Sequence, residues 1–152
     1  GYVVYFTSAS APHKCWPEER FASLVKKLGE NYPLMDHVVL EGIRPEESVK
    51  SLMRQIGPRE NVATKQIDSV DETIAFVKGA RLVVSNDTGI RHLAIAAGTP
   101  SVGIFFTTEP FIATPFRYWP RFDNHEIALR SDGQWPSVEE VSVLAVKILE
   151  DA

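Results

Sequence analysis

Arg81-Leu82-Val83-Val84-Ser85-Asn86-Asp87-Thr88-Gly89-Ile90-Arg91-His92-Leu93-Ala94-Ile95-Ala96-Ala97-Gly98 is the stretch from which the fold can be read. Leu82, Val83 and Val84 are apolar without alternation, the mark of a strand covered on both faces. The segment then breaks into polar residues and opens a helix, with Ile90, Leu93, Ala94 and Ala97 at helical spacing. Asp87 or Thr88 caps that helix by accepting a hydrogen bond from a free first-turn N–H. Gly89 admits a ligand close to the backbone, and a helix N-terminus attracts anions such as a diphosphate. The active surface is expected here.

The flanking chain alternates strands and helices. Tyr2 to Phe6 reads as a first strand, followed by a polar loop from Thr7 to Pro17. Glu18 to Asn31 carries Phe21, Leu24, Val25 and Leu28 on one helical face. His37 to Glu41 is a second strand, and Glu46 to Ile56 a helix with Val49, Leu52, Met53 and Ile56 buried. Asn61 to Thr64 is a short third strand. Ser69 starts a helix running through Ala80, with Glu72 as its capping-box partner. After the central strand and helix come a strand at Ser101 to Phe106, a long loop at Thr107 to His125, and a strand at Glu126 to Leu129. Ser137 caps a last helix to about Glu150. The long loop carries Phe111, Phe116, Tyr118, Trp119 and Phe122, which read as core packing beneath a loop or as a surface for a partner domain or an adenine ring.

Such alternation demands right-handed crossovers and a parallel sheet covered on both sides. The fold class expected is α/β, a Rossmann-like three-layer sandwich with a six-stranded sheet in the order 3-2-1-4-5-6. In that order the chain reverses direction between strands one and four, and ligands bind outside their carboxyl ends. The loops leaving those strands are Thr7 to Pro17 and Asn86 to Gly89, so topology alone indicates the site.

Composition narrows the function classes. The 152 residues are 44% hydrophobic and 24% charged, enough for one domain with a core. A net charge of -4 supplies no basic surplus for nucleic acid. The single cysteine, Cys15, rules out an internal disulfide. No apolar run approaches the ~20 residues that span a bilayer. The chain enters a strand directly after Gly1 with no signal peptide before it, as a fragment of something longer would.

The residues at the two loops suit a diphosphate. Ser8 and Ser10 can donate to phosphate oxygens, and Lys14 can act as a point charge on them. A departing nucleoside diphosphate gains negative charge, which an ammonium and helix N–H groups stabilise. Taken by itself, the first loop reads rather as a surface lysine among turn-forming serines. Asp87-Thr88-Gly89 also marks aspartic proteases, but only one copy is present, it opens a helix, and the paired-carboxylate chemistry needs two. Without its context the triplet is equally a plain helix cap. His92 lies one turn into the helix on the side of Thr88 and Gly89, where it contacts a ligand, holds Asp87, or simply packs. Glu46 and Glu47 follow the second strand, where acidic groups read ribose hydroxyls in such sheets or merely favour a helix dipole. His13, His37 and His125 have no metal-ligand spacing. The Gly-x-Gly-x-x-Gly fingerprint and the Walker loop are absent, which argues against nicotinamide enzymes and P-loop NTPases.

Three segments in order resemble the carboxyl-terminal half of the ADP-heptose–lipopolysaccharide heptosyltransferases, glycosyltransferase family 9. They are Lys14-Cys15-Trp16-Pro17-Glu18-Glu19-Arg20-Phe21, Asn86-Asp87-Thr88-Gly89-Ile90-Arg91-His92-Leu93-Ala94, and Gly98-Thr99-Pro100-Ser101-Val102-Gly103-Ile104-Phe105. The resemblance covers nearly the whole chain and implies the donor-binding half of a GT-B glycosyltransferase. Residues 1–152 would then form a nucleotide-sugar domain, with the amino-terminal acceptor domain and its catalytic base lying outside this chain.

By the same resemblance Ser10, Lys14, Thr88 and Gly89 would touch the diphosphate, with Ser8 beside them. Lys14 would stabilise the leaving group. Asp87 would hold sugar hydroxyls, His92 would support that corner, and Glu46 would read the ribose ahead of Glu41. No metal or other cofactor is implied. The implied partners are an ADP-sugar donor and a cell-envelope glycolipid acceptor. The implied location is the cytoplasm, with inner-membrane contact through the other half. The chain departs from the family in its first loop, where serines and alanines stand at positions often held by glycine or threonine. Two alternatives stay open: a non-catalytic nucleotide-binding module, and the similar domain of a nucleotide-sugar epimerase.

Overall fold

A computed structural model of the chain describes residues 1–8, 15–86, 89–106, 124–130 and 132–151. Among these, six strands form one sheet: β1 (Tyr2–Phe6), β2 (Asp36–Glu41), β3 (Val62–Gln66), β4 (Leu82–Asn86), β5 (Ser101–Ile104) and β6 (His125–Ala128). The strand order is β3-β2-β1-β4-β5-β6, every pair parallel, as the alternation of strands and helices requires. Five helices accompany it: α1 (Glu18–Asn31), α2 (Lys50–Ile56), α3 (Val70–Lys78), α4 (Gly89–Ala97) and α5 (Val138–Asp151). The aromatic-rich segment from Thr107 through Asp123 lies outside the described residues.

Each sheet face carries its own core. Val3, Tyr5, Val39, Leu82, Val84, Val102 and Ile104 pack against α1, α2 and α5. Val4, Phe6, Leu40 and Val83 pack against α3 and α4 through Val77, Ile90 and Ala94. Alternate residues of a strand point to opposite faces, so a continuous apolar run serves both layers. The stripe expected on α1 is wholly buried: Phe21, Leu24, Val25 and Leu28. Each such fully buried side chain is worth roughly 1.5–3 kcal/mol of transfer free energy.

The element bounds differ from expectation in several places: β2 starts at Asp36 rather than His37, β3 runs Val62–Gln66 rather than Asn61–Thr64, α3 ends at Lys78 short of Ala80, and four further differences follow. The central strand does not stop at Val84, because Ser85 and Asn86 continue it, pairing with Gly103 and Ile104 of β5. The helix expected to begin at Glu46 is split. Pro45–Glu47 forms one 3-10 turn, Ser48 is extended, and α2 starts only at Lys50. The Glu41 carboxylate takes the Val49 N–H at 2.9 Å, which fixes the new helix start from outside the helix. The last strand begins one residue early, at His125, whose ring meets Ser101 Oγ at 2.9 Å across the β5–β6 pair. β5 ends at Ile104 rather than Phe106, although the Phe105 N–H still reaches the Ala128 carbonyl at 3.0 Å. The two serine caps stand as expected. Ser69 Oγ accepts from Glu72 N–H and Ser137 Oγ from Glu140 N–H, both at 3.1 Å.

Two buried histidines lie at the amino ends of their strands. His37 is fully enclosed; Tyr5 O–H donates to its Nδ1 at 2.8 Å, and Nε2–H faces the Tyr32 carbonyl at 3.3 Å. Burial lowers the His37 pKa, opposed by the Tyr32 carbonyl and by Asp36. Burial, and then the positive charge of Arg91, lower that of His125. The unfolded chain thus binds more protons than the native one just below the ordinary imidazole pKa of 6.5. Stability is therefore complete above about pH 7 and is lost as pH falls below about 6.5. Urea midpoints should drop between pH 7.5 and pH 5.5, and His37→Gln should flatten that slope. A slope unchanged in the variant would assign it to other groups.

Candidate nucleotide-binding site

β1 and β4 lie side by side, with Phe6 level with Ser85. The chain leaves β1 for α1 on one face and β4 for α4 on the other. The segments therefore diverge and leave a crevice beyond the carboxyl ends of these strands. Ser8 is half-buried just past the end of β1. Gly89, exposed, is the first residue of α4. A Cβ added to Gly89 would meet no described atom within 4 Å, so the described packing leaves that space open. His92 is half-buried one turn further along α4. Ser10, Lys14, Asp87 and Thr88 lie outside the described residues. The residues that flank them depart from this one junction.

The sequence offered no role for Asn86, yet it organises the junction. Its side chain is fully buried at the end of β4. Its Oδ1 accepts the Trp16 N–H at 2.9 Å, and its Nδ2 donates to the Thr7 carbonyl at 2.8 Å. Trp16, also buried, closes the loop's exit. Its Nε1–H donates to the Pro136 carbonyl at 2.9 Å, and its ring stands edge-on to Phe21 at 4.9 Å. Arg20 Nη1 donates to the same Pro136 carbonyl at 2.8 Å. The only signal in the sequence was a polar residue at the end of an otherwise apolar strand.

Arg91 is a second buried polar residue of this region. Its guanidinium lies 5.5 Å from the Phe105 ring centre, within range of a cation–π contact. A Cβ on Gly103 would fall 2.6 Å from Arg91 Nε, so the glycine of β5 makes room for this side chain.

The two acidic candidates for ribose separate clearly. Glu46 is exposed in the 3-10 turn after β2, with one oxygen 3.6 Å from Arg44 Nε. Glu41 is half-buried and already engaged by the Val49 N–H. An open groove of about 1120 Å³ runs along the β3 edge, lined by Glu41, Val49, Met53, Arg54, Arg59 and Val62. It is distinct from the β1–β4 junction and shares only Glu41 with the candidate residues.

This geometry can be set beside known proteins. The sequence profile of glycosyltransferase family 9 (heptosyltransferase) matches residues 1–144. The chain belongs to glycosyltransferase family 9. Among curated relatives, lipopolysaccharide heptosyltransferase 1 of Escherichia coli K12 is 28% identical over 109 residues, which are 72% of this chain and 33% of that protein. Among solved structures, the family 9 glycosyl transferase from Veillonella parvula superposes with a TM-score of 0.81 at 22% identity, covering 99% of this chain and 46% of that one. The E. coli heptosyltransferase WaaC with ADP gives a TM-score of 0.75 at 21% identity, covering 99% of this chain and 45% of that one. At these identities the structural likeness establishes the fold. This family 9 domain spans about a third of the length of its curated relatives.

Because Glu41 caps α2 rather than standing free, Glu41→Ala should cost stability, about 1 kcal/mol in urea unfolding. It should change ADP affinity less than about twofold. A large loss of affinity with unchanged stability would move the ribose contact from Glu46 to Glu41.

Proposed function

We propose that this domain grips the nucleoside diphosphate of an ADP-sugar at the β1–β4 junction. In this reading it serves a glycosyltransferase that moves a heptose or similar sugar onto lipopolysaccharide core or another cell-envelope acceptor. The observation that carries the reading is the parallel pairing of β1 with β4, the two strands that the sequence continues into the Lys14-bearing segment and into Asp87-Thr88-Gly89, in a family 9 chain. Membership of the family supports sugar transfer. The ADP named for the E. coli structure supports the choice of base.

In this reading Ser8, Ser10, Thr88 and Gly89 hold the phosphates, Asp87 the sugar hydroxyls, and Glu46 the ribose, with His92 supporting Asp87. An acceptor hydroxyl attacks the anomeric carbon from the face opposite the diphosphate, with inversion. The bond from that carbon to the diphosphate oxygen breaks, and a base in the amino-terminal half takes the hydroxyl proton. Negative charge builds on the departing ADP, where the Lys14 ammonium and the α4 N–H groups are worth most. No metal is required in this scheme, since lysine and helix dipole supply the positive potential. The acceptor domain belongs to the rest of the protein, which acts at the cytoplasmic side. No described helix is long and apolar enough to cross a membrane.

Calorimetric titration with ADP-heptose, ADP and UDP should show binding of the two adenine nucleotides and weaker binding of UDP. No heat with any of the three would overturn the reading. Lys14→Ala should weaken ADP binding by about tenfold or more, the scale of one charged hydrogen bond. Lys26→Ala on α1 should leave it unchanged. Equal effects would remove Lys14 from the site.

A further inference from the structure

Asn86 bonds to two backbone groups that lie far apart in the chain. Thr7, whose carbonyl accepts from its Nδ2, immediately follows β1, and Trp16, whose N–H donates to its Oδ1, stands two residues before α1. Both partners have fixed polarity, so the orientation of the carboxamide is set: amine toward Thr7, oxygen toward Trp16. One side chain thus ties both ends of the segment 8–15, which carries Ser8, Ser10 and Lys14. The next residue along the backbone is Asp87, followed by Thr88 and the first residue of α4.

We propose that Asn86 is a positioning residue that sets the spacing between the lysine-bearing loop and the α4 N-terminus, so that both meet one diphosphate. This rests on reading the junction as a nucleotide site. A carboxamide suits the task because it offers a donor and an acceptor in one rigid plane. An aspartate keeps the acceptor for Trp16 but sets an oxygen against the Thr7 carbonyl. Alanine leaves the buried Trp16 N–H and the Thr7 carbonyl without these partners, which favours opening of the loop's base.

The test is a double-mutant cycle between Asn86→Ala and Lys14→Ala, read by ADP affinity, with adenosine as the ligand that lacks phosphates. Asn86→Ala should weaken ADP about tenfold and adenosine less than about twofold. In that background Lys14→Ala should remove less than about threefold more, against about tenfold in the native protein. Exchange of the Trp16 amide hydrogen should accelerate in Asn86→Ala. Asn86→Asp should fall between, and it carries the same comparison should Asn86→Ala fail to fold.

Additive losses, parallel losses of ADP and adenosine, or an unchanged ADP affinity would each overturn the positioning role while leaving the nucleotide reading intact. Native protein that binds neither ligand would overturn the nucleotide reading and this role with it.

Discussion

The parallel pairing of β1 with β4 is the constraint on which the rest of this domain turns. Right-handed crossovers are the rule between parallel strands, so a sheet that grows outward in both directions from β1 sends α1 and α4 to opposite faces, and the two cores place them there. The backbone then parts at the carboxyl ends of the two central strands. A crevice arises there whatever the side chains are, with the first turn of α4 at its edge. Chemistry is added to a cleft that the topology has already opened.

The domain divides its buried polar groups between the two ends of the sheet. At the amino ends, His37 with Tyr5 and His125 with Ser101 are paired within the core, and burial disfavours their charged forms. They contribute shape and a pH limit to stability. At the carboxyl ends, Asn86 bonds to backbone rather than to side chains, and what it joins are Thr7, just after β1, and Trp16, just before α1. A fully satisfied polar group of this kind specifies one arrangement where apolar packing would tolerate several.

Sheet order and both helical layers were legible in the sequence, because Leu82-Val83-Val84 and the Phe21-Leu24-Val25-Leu28 stripe have only one way to be buried. The crevice followed from that order. What escaped the sequence are features whose partners lie far along the chain. Ser85 and Asn86 read as the end of a strand because polar residues in a core need partners, and those of Asn86 are 79 and 70 residues away. The start of α2 escaped for the same reason, since its cap is the side chain of Glu41, eight residues before Val49 and outside the helix. The glycine at position 103 looked like part of a motif; in the folded domain it is the space that Arg91 fills.

Trp16 gives this architecture an order of assembly. Its indole is held by the carbonyl of Pro136, and Arg20 reaches the same carbonyl, so the exit of the first loop is sealed by residues at the threshold of α5. On the ribosome, β1 and α1 emerge more than a hundred residues before that seal exists. The earliest part of the domain to be synthesised must therefore wait for nearly the latest before Trp16 and Arg20 find their partner at Pro136. A nascent chain halted before Pro136 would hold all six strands and still lack the carbonyl that anchors the Trp16 indole.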